Sequence, residues 1–223
     1  MNKTIWMCWF QGEDNLNGLN KKCVSRWKEL NPDWQVNILS DQTISDYVSE
    51  YFDIVNNSRL KRSPQAKSDL LRILLLSKYG GVWVDASVYP MLPLSNFYNK
   101  IVNDTGFFAY RFIPRGGYGS RLCETSSWFL CVTKKNHYLI EKWKESFIKN
   151  FINYKKWPYY TFHETLTYLY DADEKIKHII NNMVQVSEKI PHSAMGPQYA
   201  HRIEDSFVYK RPDDGFINLE NKK

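Results

Sequence analysis

Cysteine is scarce in this chain. Its 223 residues include four, Cys8, Cys23, Cys123 and Cys131, and no two of them form a CxxC pair. A chain of this length buries enough core to fold without covalent staples, so the thiols read as free and the compartment as reducing. Long apolar runs are also missing. The N-terminal stretch "MNKTIWMCWFQGEDN" carries an apolar run of six residues, too short for a signal-peptide core or a membrane span, which points to the cytoplasm. Internal repeats, low-complexity tracts and Pro/Gly/Ser-rich linkers are absent, so residues 1–223 read as a single domain. No early glycine-rich, basic loop is present to grip a triphosphate. Charge of one sign is only mildly in excess: 30 Lys plus Arg against 24 Asp plus Glu give +6. The excess is diffuse, so it favours anionic partners such as nucleotides, polyanions or acidic lipid headgroups, and nucleic acid is not expected.

What the chain has in quantity is aromatic side chains, with 8 Trp, 15 Tyr and 12 Phe. That exceeds ordinary core needs, so some rings are expected to line a binding surface. Hydrophobic residues at 43% and charged residues at 24% exclude disorder as the default. "TIWMCWF" (residues 4–10) reads as a buried strand ending at Gln11-Gly12, residues 15–30 as a helix, "WQVNIL" as a second strand, and residues 42–51 as a helix behind a Ser40/Asp41 cap. This alternation predicts a parallel or mixed sheet covered by helices.

After Pro64, "QAKSDLLRILLLSKYGG" is the strongest helix signal, closed by a glycine pair. Asp69 and Arg72 share a face of it, a spacing that by itself reads first as a surface ion pair. In the strand that follows, "GVWVDASVYP", alternation puts Val82, Val84, Ala86 and Val88 on one face and Trp83, Asp85 and Ser87 on the other. The prolines place Asp85 and Ser87 towards the C-terminal end of the strand, where ligands bind in open α/β sheets. A carboxylate there can hold a divalent cation shared with substrate phosphates, or bond the amides of the next turn.

"SDLLRILLLSKYGGVWVDASV", together with "IWMCWFQGEDN", "NPDWQVNIL" and "SSWFLCVTKKN", resembles the bacterial capsular polysaccharide synthesis glycosyltransferases, which are similar to glycosyltransferase family 32 and more distantly to the glucosylating clostridial toxins. The resemblance implies an α/β, GT-A-like nucleotide-sugar-binding fold, a mixed sheet flanked by helices with a helical C-terminal elaboration. It also implies a UDP-sugar donor, a divalent cation (Mn²⁺ or Mg²⁺), a capsular or lipopolysaccharide glycan acceptor, and retention at the anomeric carbon. By position, Trp9 matches an aromatic that stacks on the base, with Gln11 beside it. Ser68 and Asp69 match ribose or sugar contacts, Arg72 a contact to the diphosphate, and Asp85 the first carboxylate of a D-x-D motif. Ser87 stands where the second carboxylate usually is.

The literal D-x-D at Asp171 and Asp173 lies in helical periodicity without a preceding glycine pair and reads as a helix start. Residues 1–135 thus form the donor-binding part and 136–223 a helical, acceptor-side part. "TFHE" fits a capping box with Thr161 at the N-cap and Glu164 at N3, and His163 with Glu164 are the acceptor-site candidates. His192, in a late irregular segment, is a candidate metal ligand, and residues 113–121 read as a loop bordering the cleft. Between Lys134 and Lys156, seven lysines and two glutamates flank an apolar stripe of Ile140, Trp143, Phe147, Phe151 and Tyr154. Core packing is the first expectation for it, and peripheral contact with a membrane carrying a lipid-linked acceptor the second. Two rival functions remain at this level: a sugar nucleotidyltransferase and a non-catalytic glycan-binding or degenerate transferase.

Overall fold

The computed structural model describes residues 3–59, 61–111, 125–155, 158–187 and 207–210. The apolar stretches of the N-terminal half become three parallel strands, β1 (Thr4–Cys8), β2 (Gln35–Leu39) and β3 (Gly81–Val84), separated by α1 (Gly18–Leu30), α2 (Ile44–Tyr47), α3 (Tyr51–Asn56) and α4 (Pro64–Tyr79). A short pair, β4 (Val88–Pro90) and the late β7 (Val208–Lys210), forms a separate antiparallel ribbon. Helix α5 (Leu94–Ile101) leads to β5 (Phe107–Arg111) and β6 (Thr125–Val132), which join the main sheet antiparallel in the order β2-β1-β3-β6-β5. Helices α6 (Tyr138–Asn153), α7 (Thr161–Ala172) and α8 (Glu174–Asn182) follow.

Strand alternation divides the core as the sequence predicts. Trp6 and its register partner Trp83 face the layer built from α4, α6 and α7, while Ile5, Met7, Val82 and Val84 face the layer containing Val24, Trp27 and Phe97. Of the apolar stripe on α6, Ile140, Trp143, Phe147 and Phe151 are fully buried, and Tyr154 alone is exposed, so core packing is its fate. Most aromatic rings serve the two cores, and several of their polar tips are bonded internally. The indole N–H groups of Trp6, Trp27 and Trp143 donate to the carbonyls of Gly80, Val88 and Phe162 at 2.8–3.0 Å.

Several boundaries differ from the sequence expectation. The first strand ends at Cys8, because Trp9 and Phe10 turn away towards Gly12, which has φ 91°. The helix expected over 15–30 begins at Gly18, where the Asn17 side chain accepts from the Asn20 amide. The helix expected over 42–51 is broken at Val48, whose extended backbone (φ −133°, ψ 85°) directs its side chain into the core. The strand expected to run through Val88 stops at Val84, and Asp85 to Ser87 form a turn closed by the Val88 amide donating to the Asp85 carbonyl at 2.9 Å. Thr161 is not an N-cap: it lies within the first turn of α7, buried, its hydroxyl donating to the Pro158 carbonyl. The expected capping box therefore does not form. Asp173 does start a helix, accepting from the Lys175 and Ile176 amides.

The glycine pair between α4 and β3 sets how closely helix and sheet approach. Gly80 ends the helix with φ 67°, its amide donating to Leu76, and Gly81 continues at φ 94°. A Cβ on Gly81 would stand 2.6 Å from the Thr4 carbonyl oxygen of β1. Left-handed backbone and a backbone clash act together there. Gly81→Ala is expected to lower the unfolding free energy by about 2–3 kcal/mol, read from urea unfolding curves.

Candidate active site

The glycine pair delivers the C-terminal end of β3 beside the middle of α4, and Arg72 bridges the two. Its guanidinium is almost wholly buried. Nη1 pairs with Asp69 Oδ1 at 2.9 Å and donates to the Ser127 carbonyl at 3.0 Å, and Nη2 reaches Asp85 Oδ1 at 3.2 Å and Ser68 Oγ at 3.4 Å. The Trp83 and Phe162 rings lie 5.1 and 5.5 Å from its centre. A charge can be buried only when paired and hydrogen-bonded, and here α4, β3, β6 and α7 each supply part of the pairing. The surface ion pair that the spacing of Asp69 and Arg72 allowed is thus an interior one.

Asp85 is the other centre of the site. Oδ1 accepts from Trp83 Nε1 at 3.0 Å as well as from Arg72, and Oδ2 accepts from Lys210 Nζ at 2.6 Å. Lys210 arrives from the far end of the chain because β7 pairs with β4, in a register that sets Lys210 opposite Val88. Sequence reasoning missed it, since no local pattern marks one lysine in "FVYKRP".

A cavity of about 440 Å³ opens against these groups. Trp9, Ser68, Arg72, Asp85 and Ser87, all expected from sequence, line it, as do Cys8, Asn20, Gln65 and Trp83, which were not. Asp69 does not reach the wall; it sits behind Arg72 as the buried partner. Gln11 also lies off the wall, exposed, its carbonyl accepting from Asn15. His163 is near enough to feel the charges of Arg72 and Lys210, whereas Glu164 points to solvent. His192, Cys123 and the expected cleft loop at 113–121 lie outside the described residues.

The environment separates the two carboxylates. Burial pushes Asp69 up to about 7, helped by Asp85 and opposed by Arg72. Burial works in the same sense on Asp85, but Lys210 and Arg72 outweigh it and hold that carboxyl below its usual range. Burial, then the charges of Arg72 and Lys210, push His163 down to about 4. Burial also raises the Cys8 thiol well above its ordinary value, so Cys8 is no nucleophile at neutral pH.

Among the described residues these donors do not make a divalent-cation site. Both Asp85 oxygens are engaged by cations or an indole, Ser87 offers only a neutral hydroxyl, and the described residues contain no cluster of three His, Cys, Asp or Glu. Mg²⁺ and Mn²⁺ sites are built from unshared carboxylate oxygens and water. What the arrangement can do is present a fixed, desolvated guanidinium to an anion in the cavity.

Two opposed pH effects on stability follow. Below about 4 Asp69 is protonated in both states; between about 4 and 7 only the folded state keeps that proton, so this contribution is lost as pH rises towards 7. His163 runs the other way: its contribution is complete above about 6.5 and is lost as pH falls towards 4. Urea midpoints measured across this range should therefore show Asp69→Asn removing the loss on the neutral side and His163→Asn the loss on the acid side.

Comparison with known proteins bears on the family and the fold. Residues 1–198 match the family model described as capsular polysaccharide synthesis protein. The chain is 33% identical over 97 residues to the O-glycosyltransferase braB of Annulohypoxylon truncatum, covering 39% of this chain and 23% of that protein. It is 32% identical over 96 residues to the glycosyltransferase afumC of Aspergillus fumigatus, covering 39% of this chain and 25% of that one. The matched segments thus span about a quarter of the length of these relatives. Among solved structures, a glycosyltransferase involved in glycosylation of the major capsid of PBCV-1 superposes with TM-score 0.51 at 11% identity, over 99% of this chain and 98% of that one. That likeness is one of fold, and the fold is GT-A-like. On the extent of the family match, which covers the whole of α4, β3 and the cavity, the chain belongs to the capsular polysaccharide synthesis protein family.

Proposed function

We propose that this protein is a glycosyltransferase that moves a sugar from a nucleotide-sugar, with UDP as the nucleotide, to a glycan of a capsular or lipopolysaccharide type. The observation that carries the reading is the buried Arg72 guanidinium in the wall of a cavity at the C-terminal end of β3. An anion there meets a preorganised donor, and the anion that a sugar transfer needs to hold is the departing diphosphate. In the reaction the bond from the anomeric carbon to the diphosphate oxygen breaks and that oxygen keeps the electron pair; the acceptor hydroxyl oxygen bonds the same carbon and passes its proton to the departing diphosphate oxygen. Arg72 stands where the new negative charge accumulates.

Several further features support parts of this reading. Trp9, partly exposed on the cavity wall, offers a flat ring for the base, its indole N–H held by the Asn15 carbonyl at 3.0 Å. Ser68 and Ser87 offer hydroxyls for the donor. Among the described residues of the wall Asp85 is the sole carboxylate and both its oxygens are engaged, which favours front-face transfer with retention and no carboxylate nucleophile or base. The first turn of α7, with His163 and Glu164, is the side we assign to the acceptor. Among the described residues no helix is long and apolar enough to cross a membrane, and the rings of α6 are committed to the core, so contact with a lipid-linked acceptor would rest on basic side chains.

A panel of nucleotide-sugars scored for released nucleoside diphosphate tests the reading. Arg72→Lys and Asp85→Asn should each lower kcat/KM by about 10²–10³, as loss of a preorganised charge contact does elsewhere. Undiminished turnover in Asp85→Asn overturns the assignment. Pyrophosphate made from UTP and a sugar phosphate would identify a nucleotidyltransferase instead, and ligand binding without turnover a glycan-binding protein.

A further inference from the structure

Resting on the donor reading above, we propose that Lys210 occupies the place at Asp85 that a divalent cation would otherwise take, so that this chain binds a nucleoside diphosphate without metal. The Lys210 ammonium is 2.6 Å from Asp85 Oδ2, the oxygen that Arg72 and Trp83 leave open. A divalent ion on that oxygen, at the usual distance of about 2.1 Å, would sit within a few ångströms of a fixed positive charge. Among the described residues the other nearby carboxylate is Asp69, which is turned into Arg72 and is not placed to share such an ion.

Lys210 is held where it is. Its side chain is 9% exposed, its strand is paired to β4 through Val208, Tyr209 and Lys210, and its ammonium lies 5.6 Å from the centre of the Trp128 ring. A desolvated ammonium keeps its counter-ion, because leaving either partner uncompensated is unfavourable. Counting these four described groups, with both acids ionised Arg72 and Lys210 balance Asp69 and Asp85, and with Asp69 protonated the four carry one net positive charge. An incoming diphosphate then meets a wall that is neutral or positive, without an added cation. Lys210 does not line the cavity, so it acts through Asp85 and is a positioning residue.

The experiment is calorimetric titration of the full chain with UDP, in EDTA and in Mn²⁺, beside titration with Mn²⁺ alone followed by its electron paramagnetic resonance signal. The wild type should bind UDP with affinities within about twofold in the two media and take up no stoichiometric Mn²⁺. Lys210→Met, which keeps the stem and removes the charge, should bind UDP more weakly in EDTA and regain about tenfold on adding Mn²⁺, whereas Lys210→Arg should remain indifferent to metal. A structural role alone would not produce that new metal response. Stoichiometric Mn²⁺ binding by the wild type, or a wild-type affinity for UDP that rises tenfold or more with Mn²⁺, overturns the proposal. So does a folded Lys210→Met that stays indifferent to metal, and if that variant fails to fold the wild-type titrations decide. Absence of UDP binding in every medium counts against the UDP donor reading, and the titration with Mn²⁺ alone then decides the role of Lys210.

Discussion

The burial of the Arg72 guanidinium is the constraint on which the rest of the site depends. An arginine inside a protein is tolerated only when its donors are matched and its charge is compensated. Here the matching comes from Asp69 one turn back on the same helix, Asp85 at the end of β3, the Ser127 carbonyl on β6 and two aromatic faces. These groups lie on four elements, so the guanidinium fixes where α4 stands against the sheet. The glycine pair makes the same demand from the other end. With backbone at φ 67° and 94° and no room for a Cβ, it lets α4 end directly against β1 and turn straight into β3. Helix and strand are thus tied at both ends of the stretch that lines the cavity.

Much of this was legible because the relevant interactions are short in sequence. The S-D-x-x-R spacing, the glycine pair and the alternation through Trp83 and Asp85 lie within 20 residues of one another, and periodicity alone sets their faces. The corresponding side chains do meet. The errors arise where a tertiary preference overrode a local one. Val48 interrupts a helix to reach the core, Thr161 prefers the Pro158 carbonyl to a capping role, and Asp85 closes a turn where alternation continued a strand. Gln11 and Asp69 were both expected at the ligand. Neither lines the cavity: the chain leaves β1 before Gln11, and Asp69 is paired with Arg72 behind the wall.

Lys210 shows the limit of local reading most clearly. It contacts Asp85 across 125 positions, and a two-stranded ribbon, β4 with β7, brings it there. The register of three residues decides which side chain faces Asp85, and nothing within those residues encodes the choice. The turn at Asp85 to Ser87 matters for the same reason: by ending β3 it starts β4 in a new direction, and β4 is the strand on which the end of the chain docks. What looked in sequence like one strand carrying an awkward acid is two short strands, and the acid at their junction is where both halves of the chain meet.

The two acids flanking Arg72 then divide the work by environment. Asp85, with an ammonium, a guanidinium and an indole upon it, stays charged through the neutral range, whereas Asp69, more deeply buried and opposed by Asp85, takes up a proton near neutrality although Arg72 and Lys210 favour its charged form. A guanidinium between one fixed and one titrating carboxylate has a net charge that a proton can alter. An anion settling beside Arg72 lowers the worth of a second negative charge on Asp69, so anion binding and proton uptake at Asp69 favour each other by linkage. The same pairing that allows the arginine to be buried thereby ties the net charge beside it to the proton on Asp69.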